Sequence, residues 1–127
     1  MKKEINLFME KLRKSIYFDK VKFVILFGSQ ILDKANPMSD YDFAVYLDMN
    51  DKERFKFRIK FGAQLPDKFD LQIFQDLPLY VQKEVLRGKI IYAKEIKFIY
   101  DTAYITIKKF KDFKKAYYDY IRLERIQ

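Results

Sequence analysis

The sequence predicts an α/β (α+β) domain, a small mixed β-sheet with packed helices and a C-terminal helix. Three observations predict it. Short apolar, β-branched and aromatic runs alternate with stretches of helical spacing. Gly28, Pro66, Pro78 and Gly88 fall at the junctions. The chain has 127 residues, half of them apolar, which suits one core and not two. Residues 1–127 are therefore expected to form a single domain, with a core over 1–94 and a helical segment over 95–127.

Each element has its own signal. Ile5, Phe8, Met9, Leu12 and Ile16 share one helical face, so 4–18 reads as a helix. Val21–Phe27 is an uninterrupted apolar run stopped by a glycine, as expected for a buried strand. Gly28-Ser29 then turns into a short helical stretch, followed by a loop around Asn36-Pro37. Residues 41–47 read as a second strand, and Asp51–Leu65 as a helix ended by Pro66. Residues 69–74 form a third strand with polar residues at alternate positions. A helix from Pro78 to Leu86 closes near Gly88, and residues 90–92 add a short strand. Residues 95–124 read as one long basic, aromatic helix or two shorter ones.

Composition limits the chemistry. There is no cysteine and no histidine. Thiolate and imidazole metal sites, serine triads and disulfides are excluded. Any metal or acid–base chemistry rests on Asp and Glu, and a carboxylate site favours hard cations such as Mg²⁺. The formal charge of +8 suits an anionic partner or substrate, or simply a solvated lysine-rich surface. No apolar run approaches the ~20 residues of a membrane span, and no signal-peptide core opens the chain. A cytoplasmic location is expected.

The candidate chemistry is spread over three strand ends. Gly28 permits a tight turn, Ser29 can cap the following helix, and free amides there attract phosphate oxygens. By itself this pair is also an ordinary strand-to-helix turn. Asp40 and Asp42 are two residues apart at the start of a strand, so both carboxylates point one way, ~6.6 Å apart along it. Such a pair repels itself unless a cation intervenes, although Asp40 can equally cap a loop, with Ser39 beside it. Asp70 lies in the next strand and can reach the same sheet edge. Three carboxylates suit a two-metal site, and with no histidine Asp70 is the natural general base. Asp48 shares the parity of Asp42 but lies ~20 Å further along, so it is excluded.

Leu26-Phe27-Gly28-Ser29, followed after ten residues by Asp40-Tyr41-Asp42-Phe43-Ala44-Val45, resembles the signature of the polymerase-β-like nucleotidyltransferases. Phe69-Asp70-Leu71-Gln72-Ile73-Phe74, Leu77-Pro78 and Leu86-Arg87-Gly88-Lys89-Ile90-Ile91-Tyr92 are similar to its small branch, the minimal nucleotidyltransferases (MNT). The resemblance implies the polymerase-β-like fold. It implies nucleotide binding by Gly28 and Ser29, and metal binding and catalysis by Asp40, Asp42 and Asp70. The cofactor would be Mg²⁺, in two copies, with ATP as co-substrate. One departure is clear. Many relatives carry an Arg and then a Gly just after Gly-Ser, whereas this chain has Gln30-Ile31-Leu32-Asp33, with Lys34 the nearest substitute cation.

A chain of this size has little room for an acceptor-binding domain. It resembles the antitoxin half of HEPN/MNT toxin–antitoxin pairs, which implies a HEPN-domain toxin as partner and transfer of AMP to it. The alternatives are a weakly active MNT domain that neutralises the toxin by binding, and a transferase for a small molecule. Tyr104, Ile107, Phe110, Phe113, Tyr117, Tyr120 and Leu123 recur at helical spacing among lysines. They suit either cover for the domain's own core or a docking face. Direct nucleic-acid binding is not favoured, since no RNA-binding motif accompanies them.

Overall fold

The computed structural model describes residues 2–28 and 40–126, with side chains to residue 122. The elements run α1 (Lys2–Arg13), β1 (Val21–Phe27), β2 (Tyr41–Leu47), α2 (Asp51–Gly62), β3 (Phe69–Ile73), α3 (Leu79–Val85), β4 (Lys89–Ala93) and α4 (Ile96–Ile126). The four strands form one mixed sheet in the order β3-β2-β1-β4. β1 pairs antiparallel with both β2 and β4, while β2 and β3 run parallel. A parallel pair requires a crossover, which α2 supplies. The expected short helix after Ser29, the Asn36-Pro37 loop, Ser39 and the Gln30–Asp33 departure lie outside the described residues.

The sheet separates two apolar layers. Phe8, Met9 and Leu12 of α1 and Phe57 and Phe61 of α2 pack on Val24, Leu26, Phe43, Val45, Leu71 and Ile73. Phe23, Ile25 and Ala44 face the other way, toward Phe74, Val85 of α3 and Ile99 of α4. Period-two alternation therefore puts Asp42, Asp70 and Gln72 on the α3/α4 side. Phe43 is the pivot of the first layer. Its ring stacks on Phe8 with centroids 3.9 Å apart and an interplanar angle of 4°. Phe43→Ala is expected to destabilise the domain by about 3–5 kcal/mol in urea unfolding, because this fully buried site cannot collapse around the void.

Local chemistry explains where elements stop. The first helix ends at Arg13, short of the expected residue 18. Ser15 Oγ accepts from the Tyr17 N–H, and the Ser15 N–H turns back to Leu12 in a tighter turn. Ile16, placed on the apolar face by spacing, is consequently 90% exposed. Asn50 caps α2 by accepting from the Glu53 N–H at 2.9 Å. That helix stops at Gly62, with tighter turns carrying the chain to Pro66. The Gln75 side chain accepts from the Leu47 N–H and donates to the Leu47 carbonyl, tying the segment after β3 to the end of β2.

α4 is one helix of 31 residues, not two. It spans ~46 Å, longer than the sheet it packs on. Ile99 and Thr106 are buried, but Tyr104, Ile107, Phe113, Tyr117 and Tyr120 are exposed. These five are not core cover, whereas Phe110 is half-buried with Lys83 of α3 over its ring, and the Leu123 side chain lies outside the described residues.

Candidate active site

β1 and β2 are antiparallel, so the end of one strand meets the start of the other, and Phe27 pairs with Asp42. β2 and β3 are parallel and in register, so Asp42 pairs directly with Asp70. Two sequence-distant acids are thus brought side by side by backbone pairing alone. Strands lie ~4.8 Å apart, so these carboxylates are in hydrogen-bond reach of each other. Burial first, then the charge of Asp70, a hydrogen bond that protonated Asp42 donates to Asp70 and the charge of Asp40 push the Asp42 carboxyl up to about 6.

Gly28 completes this corner. Its φ of +86° is the left-handed region that L side chains avoid. A Cβ built there would collide with Asp42 Oδ2. The glycine thus serves two needs at once, the turn itself and the space for the acid. Gln72, two residues beyond Asp70 on the same face, donates from Nε2 to Asp70 Oδ2 at 3.0 Å. It fixes one oxygen of that carboxylate without neutralising it. Gln72 was not singled out by sequence reasoning, although its parity with Asp70 in an apolar strand was the available signal.

The expected residues divide as follows. Asp42 and Asp70 are half-buried and paired, and Gly28 is packed against Asp42. Asp40 is exposed, one residue before β2, and acts on Asp42 through its charge. Ser29 lies outside the described residues. Among the described residues no three acidic side chains are drawn together tightly enough to form a ready metal cage. The donor set nevertheless fits a hard divalent cation. Two oxygen-donor groups share a half-buried corner, and one of them is held back from ionising by burial first and then by the other. Among the described residues, neither has a Lys or Arg ion-pair partner. A cation between them removes the repulsion that raises Asp42. The larger grooves, about 820 and 530 Å³, run along α1 on the far side of the sheet. They do not belong to this corner.

Known proteins resemble this chain in sequence and fold. A relative from Methanocaldococcus jannaschii, provisionally named a protein adenylyltransferase, is 30% identical over 79 residues. The match covers 61% of this chain and 60% of that relative, so this chain spans about three fifths of its length. A crystal structure of a toxin–antitoxin with AMP-PNP superposes with a TM-score of 0.73 at 21% identity, covering 93% of this chain and 95% of that one. A tri-AMPylated Shewanella oneidensis HEPN toxin in complex with MNT antitoxin gives 0.69 at 20% identity, covering 95% of each chain. At such identities these structures establish the fold. The pattern described as polymerase beta, nucleotidyltransferase matches residues 10–97, which include β1, Gly28, Asp40, Asp42 and Asp70. On that match and the shared fold, the chain belongs to the polymerase beta nucleotidyltransferase family.

Proposed function

We propose that this protein transfers AMP from ATP to a HEPN toxin and so acts as its antitoxin. The observation that carries the reading is the in-register pair Asp42–Asp70 with Gly28 seated against it. Such a corner suits a hard divalent cation, which would neutralise charge on a phosphoryl group, most of what this chemistry needs. The relative named for protein adenylylation and the solved MNT antitoxin complexes support the choice of acceptor.

In this reading the acceptor hydroxyl oxygen attacks the α-phosphorus, the bond to the bridging oxygen breaks, and pyrophosphate leaves. Mg²⁺, in two copies, would supply charge neutralisation of the phosphates and would lower the pKa of the attacking hydroxyl. Asp40 and Asp42 would hold it, with Asp70. Asp70, with one oxygen fixed by Gln72, receives the hydroxyl proton. Gly28 keeps the backbone close to the phosphates, and Ser29 is assigned to them as well. The location is the cytoplasm, where ATP is plentiful.

A second reading, neutralisation by binding alone, is favoured by the exposed aromatics of α4. Co-expression with the toxin separates the two. The Asp40→Ala/Asp42→Ala variant should still bind the toxin yet lose protection of the cell. Full protection by that variant would replace the transferase reading with occlusion.

A further inference from the structure

One stripe runs the length of α4 and changes its surroundings part-way. Ile99, Thr102, Thr106, Phe110, Phe113 and Tyr117 recur at intervals of three or four residues. At ~100° per residue they fall within a sector of roughly 80°. Ile99 and Thr106 are buried, and Phe110 is half-buried with Lys83 Nζ 4.4 Å from its ring centroid. Phe113 and Tyr117, next on the same stripe, are 59% and 53% exposed. The domain's own elements therefore cover the stripe as far as Phe110 and leave the following turns bare. Tyr100 and Tyr104 lie on another side of the helix, roughly 120–160° from the midline of the stripe, and take no part.

The bare turns are already ordered. Phe113 and Tyr117 stack with centroids 6.3 Å apart and an interplanar angle of 12°. They sit on an unbroken helix that continues to Ile126, so little freedom is left to lose on docking. Large side chains at three- and four-residue spacing on a straight helix fit the grooves of a second helix.

Charge selects which helix. Lys109 and Lys114 border the stripe on opposite sides, each roughly 60–80° from its midline. Neither has an ion pair among the described residues, and Lys114 Nζ lies 5.8 Å from the Tyr118 ring. Asp112 and Asp119, the acids of residues 108–122, fall on the back of the helix. A second copy laid on this stripe, parallel or antiparallel, would set these lysines against lysines. A helix with acidic borders would pair with them instead.

We infer that the distal stripe of α4 is the docking site for an amphipathic helix of the toxin, one whose apolar face is bordered by Asp and Glu. The identity of the partner rests on the antitoxin reading, and the docking is the same whether the toxin is then adenylylated or only occluded.

The test is calorimetric binding of the HEPN toxin to the full chain, with thermal melts beside it. Phe113→Gln/Tyr117→Gln should weaken binding about a hundredfold and leave the melting temperature nearly unchanged, because both side chains are exposed. Phe113→Leu/Tyr117→Leu, which keeps the stripe apolar, should recover most of the loss. Lys109→Glu/Lys114→Glu should weaken binding at least about tenfold. In sedimentation the free wild type should show no dimer. Unchanged toxin binding in the Gln variant, or no effect of charge reversal, would overturn the inference, as would a wild-type dimer that the Gln variant dissolves. A wild type that does not bind the toxin would remove the antitoxin reading. The stripe is then tested by a helical peptide with leucines on one face and glutamates beside them. It should bind the wild type and neither the Gln nor the Glu variant, and its failure to bind would overturn the inference as well.

Discussion

Asp42→Asn should lower AMP transfer about a thousandfold while making the isolated domain more stable at neutral pH. The two effects share one cause. The folded protein raises the Asp42 carboxyl from 3.8 to about 6, through burial and then the neighbouring charge of Asp70. A carboxyl raised on folding favours the fold while protonated. That contribution is complete below the unfolded value and disappears as pH rises through about 6. At pH 7 the ionised pair therefore costs about 1–2 kcal/mol, allowing for solvent screening at a half-buried corner. Replacing Asp42 by a neutral isostere removes this cost, so thermal melts at pH 7 should rise by a few degrees, and the gain should vanish below pH 4. The same titration governs metal. Divalent-cation affinity of the wild type should fall steeply between pH 7 and pH 5, as protons compete for Asp42. Calorimetric titration with Mn²⁺ at the two values checks this. A variant both less active and less stable at pH 7 would mean that Asp42 supports the fold instead of straining it.

Gly28→Ala should nearly abolish transfer, by a hundredfold or more, and should also destabilise the domain. The added methyl occupies the position of Asp42 Oδ2, and the φ of +86° is strained for alanine in any surroundings. Backbone strain of this kind costs about 1–2 kcal/mol. Unlike most strained substitutions, relief is available in only one direction: Asp42 must turn away from Asp70. Thermal melts and turnover measured together should both fall. An active Gly28→Ala protein would show that Asp42 can leave its place without consequence, and would contradict its assigned role.

How much of this was legible in the sequence depended on whether the signal was local. β1 and β2 were read correctly because continuous β-branched and aromatic runs mark buried strands. The Gly28 turn and the Asp40/Asp42 spacing were readable for the same reason. The pairing of Asp42 with Asp70 is a matter of strand register, set by contacts across the sheet, and spacing could only suggest that the two share an edge. The first helix was overextended because the apolar period continues to Ile16, while Ser15 and the Tyr17 amide end the helix with a local hydrogen bond. The long helix was visible, but the destination of its aromatics was not. Helical spacing looks the same whether a face meets its own core or reaches beyond it.

The central claim is that this acid corner moves a nucleoside monophosphate onto a protein. It is tested most directly by the intact mass of the HEPN partner after incubation with this protein, Mg²⁺ and each of the four nucleoside triphosphates. The account predicts a mass gain of one or more AMP units with ATP, absent with Asp42→Asn. An unchanged partner mass with every triphosphate, in a complex that still forms, would contradict it.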